Sequence, residues 1–298
     1  MNAITQQPAT SGQIKQINRF GVDAIEKVLA EFGLDNPGAQ RVIEHGDEFA
    51  EAIRTAALAS LKDLSVSDKF KNEEVESTYG YLSGYKPKSI TEQVARLKTL
   101  YPQFKDVTVA DPGELPKGAE GWFAIPNIWK DSSLLSGSYN DNVVHVLDLI
   151  KQDCNGKFYN YRDGQLGPER LRQSARTEAA MRKLSEEQGH PNILVVPAQF
   201  GIHHRGRSVR RAREVFASNE LGLGAFAIGI MLLTHPERLQ HYDDLWIDCA
   251  GDEYAPFTGG GFSCAPVFIF NDGQVKFGGR WVGGAHARYG SASAFVPQ

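Results

Sequence analysis

Residues 221–233, LGLGAFAIGIMLL, carry no polar side chain. A stretch that is apolar on every side has to be enclosed by the rest of the fold, and this one is too short to cross a bilayer. It predicts a central helix around which other elements pack. Gly222, Ala225 and Gly229 recur at three- and four-residue spacing, which gives that helix one smooth face for close approach by a neighbour.

The chain before this point divides by composition. Residues 1–13 are polar, lack the basic start and apolar core of a signal peptide, and read as a disordered tail. Residues 14–109 read as a helical region. Ile17, Phe20, Ile25, Val28, Leu29 and Phe32 mark a first helix over 14–32, with Gly33 as its C-terminal cap. Pro37 suits a helix start, and 39–64 continues an amphipathic pattern interrupted near Gly46. Ser89-Ile90-Thr91-Glu92 is a capping box that opens another helix, ending before Pro102. The Pro- and Gly-rich residues 110–121 read as a linker and place the domain boundary there.

Residues 122–298 read as a mixed α/β domain, so the fold class is α+β. Residues 122–130 suit an edge strand or an extended segment because of Pro126, 142–152 a helix, and 158–162 a strand. After Gly167-Pro168 a helix to about Gln188 would align Arg172, Arg176 and Lys183 in one basic stripe. Residues 192–196 suit a strand, 208–217 a helix, and DDLWID a buried strand ending at Asp248. A C-terminal β-hairpin is signalled by 266–271 and 274–277 flanking Asp272-Gly273, a type I′ turn. The glycine- and aromatic-rich stretch beyond it specifies no element.

Net charge is −4, against a strongly basic nucleic-acid binder, but the charge is segregated. Residues 157–213 hold twelve Lys and Arg against five Asp and Glu. Within them, Arg205, Arg207, Arg210, Arg211 and Arg213 cluster around an expected helix N-terminus, whose unpaired N–H groups favour an anion. Binding of nucleic acid or another phosphate-bearing ligand is the expectation, with Arg172, Arg176 and Lys183 extending the surface and Tyr159 and Tyr161 stacking bases. The competing expectation is internal pairing of the arginines with the acidic segment 243–253.

A metal-dependent phosphodiesterase or nuclease is the alternative. It would use Asp248, Asp252 and Glu253 to hold Mg or Mn and His203 or His204 to move a proton. Without that metal no cofactor is implied. A third reading is a non-enzymatic assembly or scaffold protein that docks a protein partner through its N-terminal helices. Cys154, Cys249 and Cys264 are odd in number and widely spaced, consistent with free thiols and a cytoplasmic, soluble protein rather than a membrane one. Ser263 lies in GFSCA, which departs from G-x-S-x-G at its last position.

The segments FYNYRDGQLGP, VVPAQFGIHHRGRSVRRAREVF, GLGAFAIGIMLLTHPERL, LWIDCAGDEY and GSASAFVPQ resemble a widespread, uncharacterised family of bacterial proteins. The resemblance covers about 122–298. It implies a recurring fold for that part, supplies no activity, and leaves the N-terminal helical part outside.

Overall fold

A computed structural model describes residues 9–64, 69–110, 112–130, 133–135 and 137–296. The chain forms two compact units that divide between residues 65 and 66.

The first unit is helical. α1 (Ser11–Phe32) starts at a capping box between Thr10 and Gln13 and stops at Gly33, whose φ of 66° is left-handed. It begins inside the expected tail, because Thr10 supplies the cap; residues 1–8 of that tail lie outside the described residues. α2 (Asn36–Glu44) is capped by Asp35, which accepts from the Gly38 N–H, and has Pro37 in its first turn. α3 (Gly46–Leu64) follows after His45, so the 39–64 pattern is two helices.

The second unit has α+β architecture. In chain order its elements are α4 (Ile90–Leu100), β1 (Gly121–Pro126), α5 (Tyr139–Asp153), β2 (Phe158–Asn160), β3 (Leu171–Gln173), α6 (Ala175–Gln188), β4 (Ile193–Gln199) and α7 (Val209–Val215). Then come β5 (Glu220–Gly222), α8 (Ala225–Thr234), β6 (Trp246–Asp248), β7 (Asp252–Tyr254), β8 (Cys264–Asn271), β9 (Gln274–Trp281), β10 (Tyr289–Ser291) and β11 (Ser293–Phe295). One antiparallel sheet has the order β1-β4-β11-β5, with β1 at its edge. The other has the order β10-β6-β8-β7-β3, and β9 joins β8 to β2.

All ten residues of α8 are buried, as the apolar run requires. Its helix starts only at Ala225, however, and 220–222 is strand. Close approach by other elements accounts for two of the glycines in this run. A Cβ on Gly222 would lie 2.6 Å from the Ala250 carbonyl carbon, and one on Gly229 would meet Val146 of the packed helix α5 at 2.9 Å.

The composition shift at 110–121 is not where the units part. α4 buries Ile90, Val94 and Leu97 and packs on β1 and α8, so it shares one core with the strands. The helix expected after Pro168 begins at Ala175, where Ser174 accepts from the Thr177 N–H; the residues before it pair with β7 as strand β3. The hairpin forms as expected, with Asp272 and Gly273 at φ 55° and 72°. The unassigned stretch beyond it supplies β10 and β11, and β11 lies inside the first sheet.

Candidate functional site

The arginine-rich segment follows β4. Gly201, at φ 118°, faces Gly290 so closely that a Cβ would lie 2.6 Å from the Gly290 carbonyl oxygen. Beyond the turn, residues 206–208 run against 73–75: Val75 N–H donates to Gly206 O, and Ser208 N–H donates to Glu73 O. That pairing carries Glu73 and Glu74 into the arginines.

Arg210 grips Glu73 through Nε and Nη2, and Ser208 Oγ donates to the same carboxylate at 2.6 Å. These bonds, Arg210 first, hold Glu73 below the ordinary carboxylate range despite burial. Arg211 is buried against Glu74 at 2.5 Å and Glu214 at 3.2 Å, and Arg207 reaches Glu74 at 3.5 Å. Burial pushes Glu74 up, but Arg211 and Arg207 together hold it down. Arg213 donates to the backbone oxygens of Ala250 and Asp252, and Arg205 donates to Tyr79 O.

The expected open helix terminus is therefore corrected. α7 has seven residues, Ser208 Oγ caps it by accepting from the Arg211 N–H, and Arg211 does not face away from the protein. The internal partners are Glu73, Glu74 and Glu214. From the 243–253 segment, Glu253 pairs with Arg172, Asp248 with Arg280 and Asp243 with Arg288.

The two histidines sit in a single helical turn at 202–204, not in extended chain. His204 is buried. It accepts from Arg207 Nη1 at Nδ1 (3.0 Å), which leaves Nε2–H to donate to Glu220 Oε1 at 2.7 Å. Ser293 Oγ donates to the same oxygen, and Gln199 donates to Ser293. Burial raises the Glu220 carboxyl, yet His204 and Ser293 hold it below its usual value. Burial also lowers the His203 pKa, with neighbouring His204 adding to it.

The three proposed metal carboxylates are occupied separately. Asp248 binds Arg280 at 3.0 Å, and Glu253 binds Arg172 at 2.8 Å. Asp252 accepts from Tyr139 Oη at 2.7 Å and from the Ala225 N–H at 2.7 Å, so it caps α8. Burial pushes its pKa up to about 7. Among the described residues no group of three His, Cys, Asp or Glu is placed to hold a metal ion.

The basic stripe is also dispersed. Arg172 lies on β3 and stacks on Phe262, Arg176 donates to the Ala217 and Glu220 carbonyls, and Lys183 reaches Glu187 at 3.5 Å. Tyr159 and Tyr161 are half-exposed and pack edge to face, with centroids 4.7 Å apart. Tyr159 borders an open groove of about 570 Å³ whose lining includes Asp141, Asp148 and Asp163 but only Lys151 as a cation. That surface repels phosphate.

The remaining large feature is on the first unit. α1 buries no residue; Ile14, Ile17, Val28 and Phe32 are exposed by 49%, 49%, 61% and 77% on one stripe. The periodicity was visible in the sequence, but not that the stripe stays open within its unit. No helix among the described residues is long and apolar enough to cross a membrane. Comparison with protein families, curated proteins and solved structures finds no match.

Proposed function

We propose that this is an assembly protein, in which the first unit makes an intermolecular contact and the second is the folded body it carries. The observation behind this reading is the open apolar stripe of α1. A lone 22-residue helix is marginal in water and gains stability mainly by burying its apolar face, so a contiguous uncovered face fits a docking surface. A membrane surface fits less well. Lys15, Arg19 and Lys27 are balanced by Asp23, Glu26 and Glu31, whereas interfacial helices are rich in cations.

The second unit is compatible with the same reading, because Asp248, Asp252, Glu253 and His204 are each held by a different partner within the fold. Recognition of nucleic acid or another phosphate-bearing ligand is the second reading. It rests on Arg205, which has no carboxylate partner among the described residues, and requires the Glu73 and Glu74 pairs to open.

Sedimentation velocity of the full chain tests the assembly reading. The native chain is expected to associate, and I17S/V28S to sediment as a monomer with unchanged thermal unfolding of the second unit. A native chain that is monomeric at every concentration overturns the reading.

A further inference from the structure

We infer that the groove between α5 and β2 binds a linear aliphatic polyamine, with its ammonium groups on Asp141, Asp148 and Asp163 and its methylenes on the apolar floor. The site lies within the second unit and is independent of the assembly reading.

The groove has a volume of about 570 Å³, inside the range of small-molecule sites. Leu147, Phe158 and Leu166 are buried and supply its apolar floor, and the half-exposed ring of Tyr159 borders it. Asp141, Val144, Asp148 and Lys151 follow one another at spacings of three, four and three residues, so they share the face of α5 that lines the groove. Asp163 comes from the loop after β2.

The carboxylates are not used up by the fold. Among the described residues, Asp148 and Asp163 have no hydrogen bond or ion pair, and Lys151 is not within ion-pair distance of either. Asp141 caps α5 through Oδ2 alone, which accepts from the Ser138 N–H at 2.9 Å and from Ser138 Oγ at 2.7 Å. Those bonds hold its carboxyl below the usual carboxylate range, so it keeps its charge.

Spacing selects the ligand. Asp141 and Asp148 are two helical turns apart, about 10 Å along the axis, too far to share one ion. Among the described residues no three His, Cys, Asp or Glu converge on a metal position. Separate ammonium groups on one aliphatic chain meet separate carboxylates, and the methylenes between them match a floor of leucine and phenylalanine. An ammonium also gains from the face of Tyr159. Phosphate is repelled, and a neutral polyol gains nothing from the negative charge.

Isothermal titration calorimetry of the full chain with spermidine tests the site. Spermidine is expected to bind saturably, and more weakly as salt is raised. D148N/D163N is expected to weaken binding at least about tenfold, with an unchanged melting temperature because both residues are exposed. K151Q removes the opposing charge and is expected to tighten binding about two- to threefold. Putrescine, too short to reach both Asp141 and Asp148, is expected to bind about tenfold more weakly than spermidine. Absence of binding to the native chain at low salt overturns the site. So does binding that D148N/D163N leaves unchanged, or equal affinity for spermidine, putrescine and Mg²⁺, which marks diffuse attraction to surface charge.

Discussion

The guanidinium of Arg238 lies over the ring of Tyr81, its central carbon 3.7 Å from the ring centroid, and the arginine is wholly buried. Arg238 also donates to the carbonyl of Leu245 at 2.9 Å, while the Tyr81 hydroxyl donates to Glu120 at 2.6 Å. A cation, an aromatic face and a carboxylate thus hold the 79–85 segment to the core. Replacing Arg238 with Met removes the Tyr81 stack, the bond to Leu245 and the charge that partly offsets the burial of the Glu120 carboxyl. R238M is expected to lower stability by about 2–4 kcal/mol in a urea titration. A loss below about 1 kcal/mol would show that the stack contributes little.

Asp252 gives stability a dependence on pH. The folded chain holds its proton up to about pH 7, whereas an exposed aspartate releases it near 4. A raised carboxyl pKa contributes stability that is full below the unfolded value and is lost as pH rises through the folded one. Between pH 5 and 8 the native chain should therefore lose stability relative to D252N. If the difference between their melting temperatures is constant over that range, the buried carboxyl does not titrate as described.

His235 works with the opposite sign. Its Nε2 accepts the Lys88 N–H at 2.9 Å, and burial depresses its pKa to about 4. Its contribution is present above the unfolded value near 6.5 and lost as pH falls toward 4. H235Q is expected to flatten the acid side of the stability profile between those limits, read by circular dichroism. An unchanged acid limb would rule the histidine out as its source.

The pairing of Glu73 and Glu74 with the arginines separates internal neutralisation from anion binding. E73Q/E74Q is expected to lower stability by about 1–3 kcal/mol, the part-exposed Arg210 being screened by solvent. It is also expected to create salt-sensitive binding to single-stranded DNA, measured by fluorescence anisotropy, that the native chain lacks. Equal binding by native and variant chains would favour the phosphate reading instead.

What the sequence revealed follows the range of the forces involved. The caps at Gly33 and Ser89, the Asp272-Gly273 turn and the enclosed helix at 225–234 depend on residues within a few positions, and each is present. The arginine partners are not local: Glu73 lies 137 positions from Arg210, and nothing near either residue marks the pair. Arg172 was misplaced because a four-residue charge spacing suits a helix, while pairing of Leu171–Gln173 with β7 decides for strand. Local propensity is weak beside a sheet partner.

The position of β11 between β4 and β5 orders events during synthesis. A nascent chain short of residue 295 leaves a gap in the middle of its first sheet, so the second unit cannot close until that segment clears the ribosome. α1 emerges first, and at typical elongation rates it is exposed for on the order of ten seconds or more before the body behind it folds.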